Sequence, residues 1–301
     1  MSFPLRPPPR RRILEWKNTA GPRTVKQRQL SFGRYIGGVG WGPGRRVDRR
    51  GQIRRYMVQL EKLVARGWRP SKFVERRGRW RSAVRHVGIA SRLSADKALD
   101  SYVTAIRAYA CGALADLGCG NAPLAGIYAP HVTSMLWVDR PDGPHRLVAP
   151  DVAQDLEEPL RIGSGSLDTV LLTDVLEHLR EPDRLLAEVA RVLRPGGRAI
   201  IGVPFLYWLH EEPHDHHRYT IHKLRDFAAR HGFAVVEGRA YAGGLDVVRD
   251  LLTKIVYTRR FPLPAWIVHY MTGALFAPLA PLSRRMRDVM PMGYVLVLEK
   301  N

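Results

Sequence analysis

The stretch ADLGCGNAP, residues 115–123, decides how the rest of the chain is read. It closes a short apolar run, GALADLG (112–118), and carries glycines at 118 and 120. An apolar run that stops at glycines is a buried strand entering a tight turn, where the backbone can approach a ligand closely. Asp116 precedes the glycines, and Ala122 stands where a third small residue would be. A dinucleotide site would carry G-x-G-x-x-G here; this turn has the form D-x-G-x-G.

Working outward, the next apolar run, SMLWVD (134–139), ends in Asp139, 19 residues after Gly120. An acid at that place can accept both ribose hydroxyls of a nucleoside. Strands follow at LDTVLLTD (167–174), RAIIGVPF (198–205), FAVVEGRAY (233–241) and YVLVLEK (294–300). Between them lie two amphipathic helices. In DRLLAEVARVL (183–193), Leu185, Leu186, Val189, Val192 and Leu193 share a face, Pro182 suits the first turn and RPGG is the stop. IHKLRDFAARHG (221–232) has Thr220 as its N-cap and a glycine stop. A further helix is expected from Ser94, as N-cap, to about Ala110, with Leu99, Tyr102, Val103 and Ile106 as its buried stripe. Strands alternating with helices predict an α/β, Rossmann-like doubly wound sheet.

These residues together resemble the class I S-adenosylmethionine-dependent methyltransferases, over about residues 94–301. DLGCGNAP is similar to that family's first motif, WVDR (137–140) to its second, and LDTVLLTDVLEHLREPDRLLAEVARVLRPGG (167–197) to its later core motifs. The resemblance implies a seven-stranded sheet and S-adenosylmethionine as cofactor. It implies that Asp116 meets the amino-acid end of the cofactor, directly or through water, with Gly118 and Gly120 passing beneath it. Asp139 would hold the ribose. Asp155 in AQDLEEPL (153–160) would take the adenine amino group, with Leu156 beside the ring. Asp174 would mark where the fourth motif meets the methyl-transfer site. Ala122 and the PL order in the adenine loop depart from the family pattern, and the latter leaves Asp155 less secure than Asp139.

HEEPHDHHRYT (210–220) opens with H-E-x-x-H, the spacing of a zinc protease. Pro213 denies the helix that would place both histidines on one face, so no metal is expected from that motif. The loop leaves a strand at its carboxyl end, the ligand side of such sheets. It resembles a loop of methyltransferases related to those acting on small molecules or glycans. His178, His210 and His214 are the candidates to take a proton from an acceptor hydroxyl. Against that stands a scaffold role for the histidines, with Asp215 and Arg218. Alignment of donor and acceptor can carry much of a methyl transfer by itself. No D/N-P-P-Y/F run follows the fourth strand, which argues against exocyclic base amines as acceptors.

Of 48 Lys+Arg and 28 Asp+Glu, residues 1–90 hold 24 and 4, so the whole excess of +20 sits there. The chain divides into a basic N-terminal extension, 1–90, and a methyltransferase domain, 91–301. A glycine-rich loop is expected at 33–46 and a helix at 52–66 ended by Gly67. Residues 68–90 are basic with Trp68, Phe73 and Trp80 interleaved; the extension suits RNA, with its Trp and Tyr residues to stack on bases, or an anionic membrane surface, or it is a solvated tail. An apolar insert at about 245–290 contains an uncharged run at 261–283. Both its ends return to one sheet, so no transmembrane span is expected; it is a lid over the acceptor or an interfacial segment. Two cysteines, Cys111 and Cys119, make no disulfide framework. With no apolar leader, a cytoplasmic protein is expected, at most peripheral to the membrane.

The activity expected is methyl transfer, at oxygen, to a small-molecule, glycan or lipid-linked acceptor. RNA methylation and a non-catalytic, cofactor-binding partner protein are the alternatives.

Overall fold

The computed structural model describes residues 57–59, 61–76, 78–141, 149–260 and 264–301. The glycine-rich loop expected at 33–46 and the start of the helix expected from residue 52 lie outside them. Residues 57–59 and 61–65 are helical, and Gly67, at φ +76°, follows the end.

Seven strands form one sheet in the order β5-β4-β3-β6-β7-β9-β8. They are β3 (Gly112–Leu117), β4 (Val132–Asp139), β5 (Val152–Ala153), β6 (Leu167–Thr173), β7 (Leu193–Pro204), β8 (Phe233–Tyr241) and β9 (Gly293–Lys300). All neighbours run parallel except β9, which is antiparallel to both β7 and β8. The chain steps from β3 to β4 and β5 on one side, then to β6 and β7 on the other. That reversal at β3 opens the crevice where such sheets hold ligands. Strand β5 is too short to be visible as a hydrophobic pattern.

Helix α1 (Ile89–Tyr109) starts five residues before the expected N-cap. Ser94 lies inside it and donates its hydroxyl to Ser91 O at 3.0 Å, because Ala90 and Leu93 extend the buried stripe backwards. A short helix α2 (Ala125–Tyr128) follows the glycine turn. Helix α3 (Pro182–Val192) has its expected apolar face buried, and Thr220 caps α4 (Ile221–Arg230) by accepting from Lys223 N. The residues RPGG do not precede β7 but belong to it: Pro195 holds Arg194 extended, so the strand begins directly at Leu193. Helices α3 and α4 bury Leu186, Val189, Leu224 and Phe227 in one cluster with Val170, Leu172, Ala199 and Ile201 of the sheet. Full burial of such a side chain stabilises by about 1.5–3 kcal/mol, which is why these stripes set the layers.

Residues 68–90 hold a hairpin of β1 (Phe73–Arg76) and β2 (Arg79–Ser82). Its aromatics face inward: Trp68, Phe73 and Trp80 are buried. The stacking expected of the extension's tryptophans is therefore corrected for Trp68 and Trp80, since neither offers a face to a base. The reason is packing against α2, where a Cβ added at Gly126 would lie 3.0 Å from Trp80 and 3.1 Å from Trp68.

The insert folds as α5 (Gly244–Ile255), α6 (Ala265–Phe276) and α7 (Ala280–Arg285). Residues 265–285 form one helical run, 21 residues long, with a 3-10 turn at Ala277–Leu279. Pro278 and Pro281 sit in first turns, where proline is tolerated, so they do not interrupt it. By length and composition this run could cross a membrane, and only 11% of its apolar window is buried. Trp266, Tyr270, Met271 and Leu275 face outward. A lid would bury that face, so α6 is not one in this conformation. Helix α5 and the π-helical turn after it (Val256–Arg260) border the loop after β7: Lys254 Nζ lies 3.8 Å from the Tyr207 ring centroid, and Tyr257 of the turn packs against Trp208.

Candidate functional site

The carboxyl ends of β3, β4 and β6 gather the expected cofactor residues. Gly118 and Gly120 both adopt positive φ, +71° and +53°, and open the chain into a tight turn. A Cβ at Gly118 would lie 2.5 Å from Val175 Cγ2, so glycine is required there on two counts. Asp139 ends β4 and accepts Gly120 N at 2.5 Å and Arg140 N at 2.7 Å. Each oxygen thus keeps a lone pair for another donor.

Asp116 is buried, and Tyr128 Oη donates to it at 3.1 Å while Trp137 Nε1 donates to Tyr128 Oη at 2.7 Å. Burial, aided by the charge of Asp139 and opposed by the Tyr128 bond, pushes the Asp116 carboxyl up to about 7. Trp68 Nε1 donates to Ala122 O at 2.9 Å and clamps the far side of the turn, where Ala122 holds φ +46°. Neither Tyr128 nor Trp68 was expected at the site. A polar tip on a buried aromatic was the available signal.

Leu156 is buried against the turn, 3.6 Å from where a Gly118 Cβ would stand. Asp155 is exposed just beyond β5, and its Oδ1 accepts Glu157 N at 3.0 Å. The loop is shaped by buried Gln154, whose amide donates to Pro159 O and accepts from Arg161 N, both at 2.9 Å. Asp174 has φ +55° and accepts Tyr102 Oη at 2.8 Å, which links β6 to α1. These acids and glycines form a backbone cradle rimmed by carboxylates that can accept from donors of a bound nucleoside. The residues present fit S-adenosylmethionine.

Beyond Asp174 the chain reaches a second group. His178 and His210 come together, ring centroids 4.8 Å apart, although 32 residues separate them. The carboxylate between them belongs to Glu177, which is completely buried and was not anticipated. Its Oε1 lies 3.7 Å from His178 Nε2 and 3.8 Å from His210 Nε2. A charged residue inside the apolar run VLEHL was the signal for it. Burial pushes the Glu177 carboxyl up, against the pull of both imidazoles. Burial also works against a charge on His210, but Glu177 and Asp215 outweigh it and raise that imidazole.

His214 takes another place. Its carbonyl accepts from His178 Nδ1 at 2.8 Å, and its ring lies beside His216. The loop itself is held by Asp215, which accepts His210 N at 2.9 Å and both Arg218 nitrogens. Burial opposes that charge, but the Arg218 guanidinium holds the Asp215 carboxyl down at about 2. The hydrogen bonds give Asp215 and Arg218 the scaffold role expected of them, and His210 stands in the same loop beside Glu177. Tyr219 closes it by donating to Leu176 O at 2.9 Å. Next to this loop, Lys254 and Asp250 form a buried ion pair on α5.

Comparison with known proteins agrees with this geometry. Residues 97–238 match a family model described as a methyltransferase domain. The chain is 32% identical over 109 residues to an uncharacterized 37.1 kDa protein in transposon TN4556 of Streptomyces fradiae, covering 30% of this chain. It is 32% identical over 96 residues to thiol S-methyltransferase TMT1B of Homo sapiens, covering 28% of this chain. The matches span 29% and 39% of those relatives' own lengths. Among solved structures, a methyltransferase from Mesorhizobium loti overlays with a TM-score of 0.44 at 16% identity, covering 67% of this chain and 98% of that one. One from Archaeoglobus fulgidus overlays with a TM-score of 0.45 at 15% identity, covering 67% and 91%. The order of the strands, the acids at their carboxyl ends and the matched family model lead to one assignment: through residues 97–238 the chain belongs to the class I S-adenosylmethionine-dependent methyltransferases.

Proposed function

We propose that the protein transfers a methyl group from S-adenosylmethionine to the oxygen of an apolar or lipid-linked acceptor, which it meets at an anionic membrane surface. The observation that carries the chemistry is the adjacency of two groups on one sheet edge. Asp116 and Asp139 stand on the cofactor side, and Glu177, His178 and His210 follow three to four residues, or one strand, beyond Asp174. Bound S-adenosylmethionine supplies an electrophilic methyl on sulfur; the S–CH3 bond breaks as the O–CH3 bond forms, and the acceptor's proton leaves to solvent through the acceptor-side cluster. Asp139 and the glycine turn orient the donor. Tyr102 holds Asp174 between donor and acceptor. Helix α5 and the turn that follows it, with Tyr257 on Trp208, restrict water on the acceptor side.

The acceptor class rests on the insert. Helices α6 and α7 and the 3-10 turn between them present Trp266, Tyr270, Leu275, Leu279 and Leu282 outward, and α7 ends in Arg284 and Arg285. An exposed apolar face beside arginines matches a helix lying in a lipid headgroup layer. A glycan or a free small molecule would not need that face. The RNA reading keeps only the extension's charge, because its described tryptophans are buried.

The test uses methyl-labelled S-adenosylmethionine with the purified protein and host extract, separated into RNA, organic-phase and small soluble fractions. Label in the organic phase is the expected result. Label in RNA would make the basic extension the substrate grip. Label on a soluble thiol would transfer to this chain the acceptor named for the human relative. No label in any fraction, with cofactor bound, would leave a cofactor-binding partner protein.

A further inference from the structure

Glu177 is the anomaly of the acceptor side. Both its oxygens are buried without a hydrogen-bond partner. A buried carboxylate left unpaired is strongly unfavourable, so such a group calls for a missing partner. The two imidazole nitrogens nearest to it, at 3.7 and 3.8 Å, are too far to donate a hydrogen bond.

The tautomers sharpen the point. His178 Nδ1 faces the carbonyl of His214 at 2.8 Å, and a carbonyl only accepts, so the hydrogen sits on Nδ1. The lone pair of His178 is then on Nε2, toward Glu177. His210 Nδ1 lies 3.2 Å from Asp215 Oδ2, off the line of a good hydrogen bond but beside an acceptor-only group. That again favours the hydrogen on Nδ1 and the lone pair on Nε2. In these neutral tautomers two lone pairs and a carboxylate converge, a repulsion that either a proton taken up by the cluster or a cation relieves. Their ligand atoms all lie within 4.8 Å of one another. A bound cation removes the repulsion. Zinc–nitrogen bonds of about 2.0–2.1 Å set tetrahedral ligand atoms roughly 3.4 Å apart, so closing the site draws Glu177 Oε1 a few tenths of an ångström toward each imidazole nitrogen and brings ligand atoms now up to 4.8 Å apart together by about 1.4 Å at most.

We propose that Glu177, His178 and His210 bind one divalent transition-metal cation of the zinc type, with an open coordination position toward the acceptor. Two imidazoles with one carboxylate suit such an ion, whereas magnesium and calcium favour oxygen ligands throughout. The His214 carbonyl and Asp215 orient the two ligand rings from outside, the usual arrangement around metal-bound histidines. His210 is thus a ligand although the helical H-E-x-x-H reading of its segment fails, and His214 serves through its backbone. The cation's task, to bind an acceptor hydroxyl and ease loss of its proton to water, rests on the proposed methyl transfer; its binding does not.

The test titrates the metal-stripped full-length protein with Co2+, followed by visible absorption, and with Zn2+ by calorimetry. One equivalent is expected to bind, with Zn2+ displacing Co2+. Glu177→Gln, His178→Ala and His210→Ala should each weaken binding by about 100-fold or more, while S-adenosylmethionine binding by the same samples shows that they are folded. Asp215→Asn should weaken it by about 10-fold. Failure of the unsubstituted protein to bind one equivalent overturns the proposal, and so does binding that survives the double change His178→Ala with His210→Ala. One equivalent of metal bound, with no label transferred to any fraction of the extract, would uphold the site and overturn the methyl-transfer reading instead.

Discussion

The carboxylate of Asp139 accepts the backbone N–H of Gly120 at 2.5 Å, across 19 residues of chain. One acid therefore shapes the glycine turn, and on our proposal holds the ribose at the same time. Asp139→Ala removes both functions. Hydrogen bonds to charged groups contribute about 1.5–3 kcal/mol, so S-adenosylmethionine affinity should fall roughly 10- to 100-fold. Calorimetry measures the loss, and a single cooperative thermal transition, at a somewhat lower midpoint, confirms that the fold survives. Unaltered affinity would place the ribose elsewhere.

Asp116 predicts a pH dependence. Its carboxyl is raised by burial to about 7 from an ordinary value of 3.8, so folding favours the neutral form. Its contribution to stability is complete below 3.8 and is lost as pH rises through about 7. The cofactor's ammonium favours the ionised form instead. Affinity for S-adenosylmethionine should tighten up to about tenfold between pH 6 and pH 8 and level off above that. Asp116→Asn should flatten the profile; a slope that persists in that variant would assign it to another group.

Trp68 reaches from outside the family-matched segment to the site, donating to Ala122 O. Trp68→Phe keeps most of the packing and removes the donor. A neutral hydrogen bond contributes about 1 kcal/mol, so the variant should bind the cofactor about fivefold more weakly. Equal affinity would make the extension's packing on the turn irrelevant to it.

His214 and His210 separate cleanly. His214 contributes a carbonyl, which every residue has, so His214→Ala should leave methyl transfer within about twofold. His210→Ala should lose about 100-fold or more, the usual scale for groups engaged with a departing proton. Both are read in the labelled-methyl assay, and a large loss in His214→Ala would restore its side chain as a participant.

The outward face of α6 should govern lipid binding. Replacing Trp266, Tyr270 and Leu275 by serine removes three exposed apolar groups. Burying such side chains contributes about 1.5–3 kcal/mol each, so partition into phosphatidylglycerol vesicles should drop by well over tenfold, with cofactor affinity unchanged. Equal sedimentation of both proteins with vesicles would remove the membrane from the proposal.

Much of this protein follows from local order in the chain. The run GALADLG, the glycines at 118 and 120 and the acid at 139 are a strand, a turn and a strand end, and each is specified by neighbours a few residues away. The stripe of α3 and the Thr220 cap are equally local. Ser94 misled because a capping residue at the right spacing carries no information about whether the stripe continues behind it. The tertiary structure alone decided that Glu177 joins His178 to His210, that His214 turns its ring away, and that Trp68 and Trp80 face inward. Residues 177 and 210 meet only because β6 and β7 are parallel neighbours that end at the same edge of the sheet. Their loops are then forced together there, whereas a strand, a turn or a cap is set by residues adjacent in the chain.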